Sequence, residues 1–350
     1  MMSDHAISPP QHRPLIAWLG RLGRQRVLWP LLTLAIIIIV NGFVSPGFFS
    51  VRVVEGRLFG STIDILYRAT PIAIVALGMA IVIGTRGVDL SVGAIIAICG
   101  AVIAWRIHEG DPHFVVLLLA IGAGVLCGLW NGFLVAVLDI QPIIATLVLM
   151  VAGRGIGLMI NLIYGGTNPS FESELLQGLS VGHTGLIPTR LILGVITFVV
   201  LWVLIRRTAI GLFVEAVGGN AAAARLTGIN ARLVKYAAYL LSGLLAGWAG
   251  VIITADTHTS APVTQGLYME LDAILAVVIG GGSLAGGRIY LAMTVVGTLI
   301  IQALTTLILT SGLPPEYNLV VKAAVVLLVL LLQSESARAA VAGLLIRGRR

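Results

Sequence analysis

The chain has 350 residues, of which 58% are hydrophobic and only 11% charged, with a formal net charge of +7. A soluble domain carries roughly 25% charged residues, so this sequence lacks the polar surface that water would require. The positive balance does not mark a nucleic-acid binder, because the arginines sit in short segments between apolar runs and not on one amphipathic face. The apolar runs recur from end to end at roughly 20 residues each, long enough to cross a ~30 Å hydrocarbon core. They are continuous and not alternating, and backbone in lipid must satisfy its own hydrogen bonds, so helices are expected over a barrel. The predicted fold class is therefore all-α: a polytopic transmembrane helical bundle of about ten spans with a short cytoplasmic helix.

In chain order, Arg13, Arg21, Arg24 and Arg26 precede the apolar stretch Val27–Val44. That stretch is too long for a typical signal-peptide core and lacks a small-x-small cleavage site, so it reads as an uncleaved first span. Spans are predicted at 27–45, 64–84, 90–106, 114–138, 143–163, 191–205, 235–254, 270–284, 289–310 and 318–333. A cytoplasmic segment 1–26 and a basic cytoplasmic tail 334–350 flank the membrane domain 27–333. With the N-terminus inside, Arg86, Arg206, Arg207, Arg225, Arg232, Lys235 and Arg288 all fall on the cytoplasmic side, together with the basic residues of both termini. Only Arg52, Arg57, Arg106 and Arg190 lie clearly outside, while Arg68, Arg154 and Lys322 fall in or at the edge of spans. That asymmetry is the one the positive-inside rule requires.

The second span ends in a glycine-rich break, Gly87-Val88-Asp89-Leu90-Ser91-Val92-Gly93. A carboxylate at a membrane-embedded helix start costs a few kcal/mol unless paired or solvated. Asp89 can serve as a cap on the free amides of the third span, or it can act in transport or gating beside Ser91. His108, Glu109, Asp111 and His113 lie in a short polar loop without a metal-ligand spacing, and they read as solvated. Gly124, Gly128 and Gly132 recur every four residues, as do Gly243 and Gly247; such steps let helices approach closely in lipid. Cys99 and Cys127 fall inside spans and read as buried thiols.

Between the fifth and sixth spans, Tyr164–Arg190 forms an external segment long enough to be structured. Between the sixth and seventh, Arg206–Arg232 is cytoplasmic. There Asn220 is an N-cap, Ala221–Ala224 are strong helix formers and Gly228 suits a C-terminal cap. A helix of about two turns is too short to persist alone in water, so it must dock on something. Near the eighth span, Glu270 and Asp272 are two residues apart, which turns them to different faces and favours a solvated interface over a catalytic pair. The second break, Gly280-Gly281-Gly282-Ser283-Leu284-Ala285-Gly286-Gly287-Arg288, lacks the lysine and Ser/Thr of a phosphate loop. Ala80–Gly84 before the first break and Ala276–Gly280 before the second echo each other, which suggests a parallel internal duplication.

Four blocks, in order, resemble the permease subunits of ribose-type monosaccharide importers in the ATP-binding-cassette superfamily. They are Gly87–Gly93; Asn131-Gly132 with Gln141-Pro142-Ile143-Ile144-Ala145-Thr146-Leu147; Glu215-Ala216-Val217-Gly218-Gly219-Asn220 through Thr227-Gly228-Ile229; and Glu270-Leu271-Asp272 through Gly281-Gly282-Ser283. The wording around Gly56–Ser61, Asp64-Ile65-Leu66 and Leu313-Pro314-Pro315-Glu316 looks nearest to the galactofuranose importer permeases. The resemblance implies a subunit of the bacterial inner membrane with both termini cytoplasmic. Its implied partners are a cytoplasmic ATPase that holds the ATP-Mg, a periplasmic sugar-binding protein, a second permease chain of the same or a different gene, and membrane lipid. No cofactor and no catalysis are implied in this chain. Glu215, Gly218, Asn220, Ala223, Thr227 and Gly228 match the family's ATPase-coupling segment, and Asp89, Ser91, Asp272, Gly281 and Ser283 are pathway or gating candidates. Two rivals stand beside this reading. An ion-coupled secondary sugar transporter would need acids within its spans, and a membrane-embedded transferase would need a paired acidic motif.

Overall fold

A computed structural model describes residues 28–54, 56–312, 314 and 317–333. The expected terminal segments 1–26 and 334–350 and most of Leu313–Glu316 lie outside the described residues. Twelve helices are present among them: α1 Leu28–Val44, α2 Ser61–Gly84, α3 Val92–His108, α4 His113–Gly132, α5 Pro142–Tyr164, α6 Glu174–Ser180, α7 Thr189–Arg207, α8 Ala209–Leu226, α9 Ala231–Thr257, α10 Met269–Ile279, α11 Leu291–Thr310 and α12 Tyr317–Gln333. Two small antiparallel hairpins complete the fold, β1 Arg52–Val54 with β2 Arg57–Phe59 and β3 His183–Thr184 with β4 Ile187–Pro188. The chain is a polytopic helical bundle. Six helices among the described residues, α2, α4, α5, α7, α9 and α11, are long and apolar enough to cross a membrane by themselves.

Local chemistry sets the helix ends. Pro142 opens α5 at its first turn, where a missing N–H costs nothing. Asn230 caps α9 by accepting the Leu233 N–H at 3.2 Å, and Thr208 caps α8 through the Ile210 N–H at 3.2 Å. α4 loosens into one π turn, Phe133–Val137, before Asp139 turns the chain at φ 57°. α10 stops at Ile279, earlier than the sequence pattern suggests, because the chain turns at Gly280-Gly281.

The core is formed by α2, α3, α9 and α11, which are buried along most of their length, while α4, α5 and α7 turn large apolar side chains outward. The two glycine steps meet across the α4–α9 seam. A Cβ on Gly124 would lie 2.6 Å from Gly243 O, and one on Gly128 would lie 2.6 Å from Tyr239 O. At α1, the buried Asn41 donates to Ala303 O of α11 at 3.1 Å, a polar bond that joins the two helices.

Candidate functional site

The segment expected to dock is a capped helix, and its surroundings give it a defined face. Asn220 breaks α8 with φ −158° and ψ 103°. Its Oδ1 accepts the N–H groups of Ala222 and Ala223 at 3.0 and 3.1 Å, which is N-capping of a new helical turn. The turn closes at Thr227, whose N–H reaches Ala224 O at 3.2 Å, and Gly228 follows at φ 86°, a conformation costly for any residue with a Cβ. Sequence reasoning missed that Ala209–Gly219 is also helical, so the short helix continues α8 beyond a kink. Ala224 is buried against Val217 and Ala231. Ala222, Ala223, Arg225 and Leu226 are exposed on the other side, Leu226 at 91%.

The first half of α8 meets both glycine-rich breaks at one point. The Gly287 N–H donates to Gly84 O at 3.1 Å, so the end of α2 and the segment entering α11 are bonded to each other. Gly218 lies against this bond: a Cβ there would collide with Gly84 O and stand 2.7 Å from Gly287 N. Arg86, at φ 66°, sends Nη2 to Gly219 O at 2.6 Å. Glu215 Oε1 accepts the Ile289 N–H at 3.1 Å, and Arg206 Nη2 donates to Ile289 O at 2.9 Å. Of the sequence-predicted residues, Glu215 and Gly218 therefore belong to this junction, whereas Asn220, Ala223, Thr227 and Gly228 shape the short helix beyond it.

Asp89 and Ser91 sit inside the bundle. Asp89 has no solvent exposure, and its Oδ1 accepts from Ser91 N–H at 3.1 Å and Ser91 Oγ at 2.6 Å. Its Oδ2 accepts from Ser242 Oγ of α9 at 2.8 Å. Asn131 of α4 donates to Ser91 Oγ at 2.7 Å, and Tyr239 OH of α9 donates to Val88 O at 3.3 Å. Thr146 of α5 accepts the Leu90 N–H at 3.1 Å. One carboxyl group thus ties the start of α3 to α4 and α9 with its hydrogen-bonding capacity largely used, as a buried polar group requires.

The acids of α10 are not solvated, contrary to the expectation. Glu270 is 2% exposed, packed where Gly93, Gly266 and Arg154 converge, and its Oε2 has no hydrogen-bond partner. Asp272 faces another way and pairs with Lys322 of α12, Nζ lying 3.1 Å from both carboxylate oxygens. The two acids do point to different faces, as their spacing requires. What the spacing does not reveal is that both faces are occupied. Gly281 adopts φ 88° and Ser283 Oγ accepts the Ala285 N–H at 3.2 Å, so both shape the turn after α10.

Two arginines carry more than the sequence pattern suggests. Arg154 of α5 donates to Pro262 O at 2.9 Å, Gln265 O at 3.1 Å and Gly266 O at 3.3 Å, holding the connection between α9 and α10. Its signal was available, since a charge inside a predicted span calls for a partner. Arg190, expected in an external loop, is only 4% exposed. It pairs with Asp256 at 3.0 Å and lies 4.3 Å from the ring centre of Tyr67, whose OH donates to Asp256 Oδ1 at 2.7 Å. Arg106, at the end of α3, pairs with Asp111 of the polar loop.

The family described as branched-chain amino acid transport system / permease component matches residues 61–330. The galactofuranose transporter permease protein YtfT of Escherichia coli strain K12 is 50% identical over 317 residues, 89% of this chain and 92% of that protein. The ribose import permease protein RbsC of the same strain is 36% identical over 310 residues, covering 87% and 92%. The fructose import permease protein FruF of Bifidobacterium longum strain NCC 2705 is 34% identical over 320 residues, covering 90% and 89%. No solved structure matches the chain. With the family model matching residues 61–330 and these relatives aligned over most of its length, the chain belongs to this family of transport-system permease components.

Proposed function

We propose that this permease is the membrane-spanning subunit of an ATP-binding-cassette importer that carries a monosaccharide, galactofuranose or a similar pentose or hexose, across the bacterial inner membrane. Ten helices, α1–α5, α7 and α9–α12, make the spans; both termini and α8 face the cytoplasm, and α6 faces the periplasm. The arginine asymmetry supports that orientation. The partners are a cytoplasmic ATPase that binds the ATP-Mg, a periplasmic sugar-binding protein and a second permease chain.

The short helix Asn220–Leu226 carries the coupling part of the reading. It is capped, held to its own chain by one small apolar face, and bare on the other. A helix this short gains its stability from contacts, and its exposed leucine and small alanines suit a groove in an ATPase subunit. Closure of the ATPase pair then moves this helix, the bundle opens outward to receive sugar from the binding protein, and reopening releases the sugar inward. The sugar identity comes from the relatives: the one at 50% identity is a galactofuranose permease, and the more distant ones carry ribose or fructose by name.

The test is to purify the chain in complex with its partner ATPase and binding protein and to measure which sugar stimulates hydrolysis. Stimulation by galactofuranose or a related sugar is expected. Hydrolysis by the chain alone, with contaminating ATPase excluded, would overturn the reading.

A further inference from the structure

We infer that Arg86, Glu215 and Gly218, with the Gly84–Gly287 backbone bond, form the transmission point at which movement of the docking helix reaches the membrane helices; this rests on the coupling role proposed above. The docking helix touches its own chain through Ala224, Val217 and Ala231. Displacement of it therefore reaches the start of α9 through Ala231 and the first half of α8 through Val217. On that half, Glu215, Gly218 and Gly219 are three and four residues apart, which places them on one face. That face is the one turned to the two breaks.

Each contact there is stiff. Gly218 meets Gly84 O and Gly287 N backbone to backbone, with no side chain between them to change rotamer and absorb a shift. Both polar backbone groups of the buried Ile289 are held by side chains, its N–H by Glu215 of α8 and its C=O by Arg206 of α7. Arg86 occupies a left-handed conformation that a non-glycine residue adopts at a cost, and it uses that conformation to reach Gly219 O at 2.6 Å. The Gly287–Gly84 bond then joins the two breaks, so a push on α8 reaches the end of α2 and the start of α11 together and in the same direction. One short helix can in this way move two core helices separated by some two hundred residues of sequence without touching either directly. The residues act by position and bind no sugar and no nucleotide.

A static packing role and a transmitting role differ in what fails. The complex of this chain with its ATPase and binding protein is reconstituted in proteoliposomes, and co-purification, basal hydrolysis, sugar-stimulated hydrolysis and uptake are measured. Glu215→Ala removes the acceptor of the Ile289 N–H, Glu215→Gln keeps an Oε1 acceptor there, and Gly218→Ala forces Gly84 and Gly287 away. Glu215→Ala and Gly218→Ala should bind the ATPase normally and hydrolyse at the basal rate, while the sugar response and uptake fall about tenfold, the scale of one lost charge-assisted bond. Glu215→Gln should retain most of both. Loss of ATPase binding by both alanine variants would overturn the inference in favour of a structural role, and so would unmodified uptake with an unmodified sugar response. An unmodified complex that shows no sugar response at all would instead overturn the permease reading on which the inference rests.

Discussion

Gly124 of α4 faces Gly243 of α9 with no side chain between them: a Cβ on either one would run into the other's carbonyl oxygen. Gly122, two residues away and so on the opposite side of the same helix, has nothing within 4 Å of where its Cβ would stand. Two glycines of one helix therefore differ in what they permit. Gly124→Val should destabilise the purified chain by about 1–3 kcal/mol or more, since overpacking here cannot be relieved by a rotamer change. Gly122→Ala should stay within ~0.5 kcal/mol of the unmodified protein. Thermal unfolding in detergent reads both, and equal melting temperatures would refute the backbone-to-backbone seam.

Leu226, 91% exposed, is the large apolar residue that the docking helix offers outward. Leu226→Glu and Ala223→Glu should each abolish co-purification with the ATPase and cut uptake, with the permease still present in the membrane at normal level. Asn220→Ala should do the same more mildly, because losing an N-cap costs ~1 kcal/mol. Pull-down and uptake on the same membranes check all three. A Leu226→Glu protein that assembles and transports normally would place the ATPase contact elsewhere.

Orientation is testable with single cysteines at exposed positions. Gly178 lies exposed on α6 with nothing within 4 Å of where its Cβ would stand, and Ala223 is exposed on the docking helix. In intact cells an impermeant thiol reagent should label Gly178→Cys once the outer membrane is permeabilised, and it should leave Ala223→Cys untouched. Labelling of Ala223→Cys under those conditions contradicts the proposed topology.

Asp89 accepts hydrogen bonds from a backbone amide and two hydroxyls in a site closed to solvent. Asp89→Ala strands those donors, at a cost of ~1–3 kcal/mol for each group left unpaired. Asp89→Asn keeps one acceptor and should fall between the two. The expected order of melting temperature is unmodified, then Asn, then Ala. An alanine variant as stable as the unmodified chain would show that the cluster does not hold α3 to α4 and α9.

The helices were readable because each is a continuous apolar run bounded by local signals, and the Asn220 cap because its donors lie two and three residues away. The first half of α8 was not, since Ala209–Gly219 has neither a long apolar run nor a strong terminal cap of its own besides Thr208. Burial of Glu270 depends on Gly93 and Arg154, which reach it only through the packing of α3 and α5 against α10. The Tyr67–Asp256 bond spans 189 positions and the Arg190–Asp256 pair 66. Periodicity and spacing describe a residue's neighbours along the chain, and these contacts are made by helices that meet only after folding.

The glycine seam also limits which parts of the bundle can move. The opposed notches of α4 and α9 repeat every four residues, so a slide between the helices that restored the fit would have to cover about 6 Å in one step. Any smaller displacement would drive methyl or larger groups into carbonyl oxygens. α4 and α9 therefore travel as a single strut, and α3 goes with them because Asp89 and Ser91 tie its start to Ser242 and Asn131. Any rearrangement of the bundle that keeps this seam therefore moves the other helices, α2 and α11 among them, against a strut of α3, α4 and α9 that stays whole.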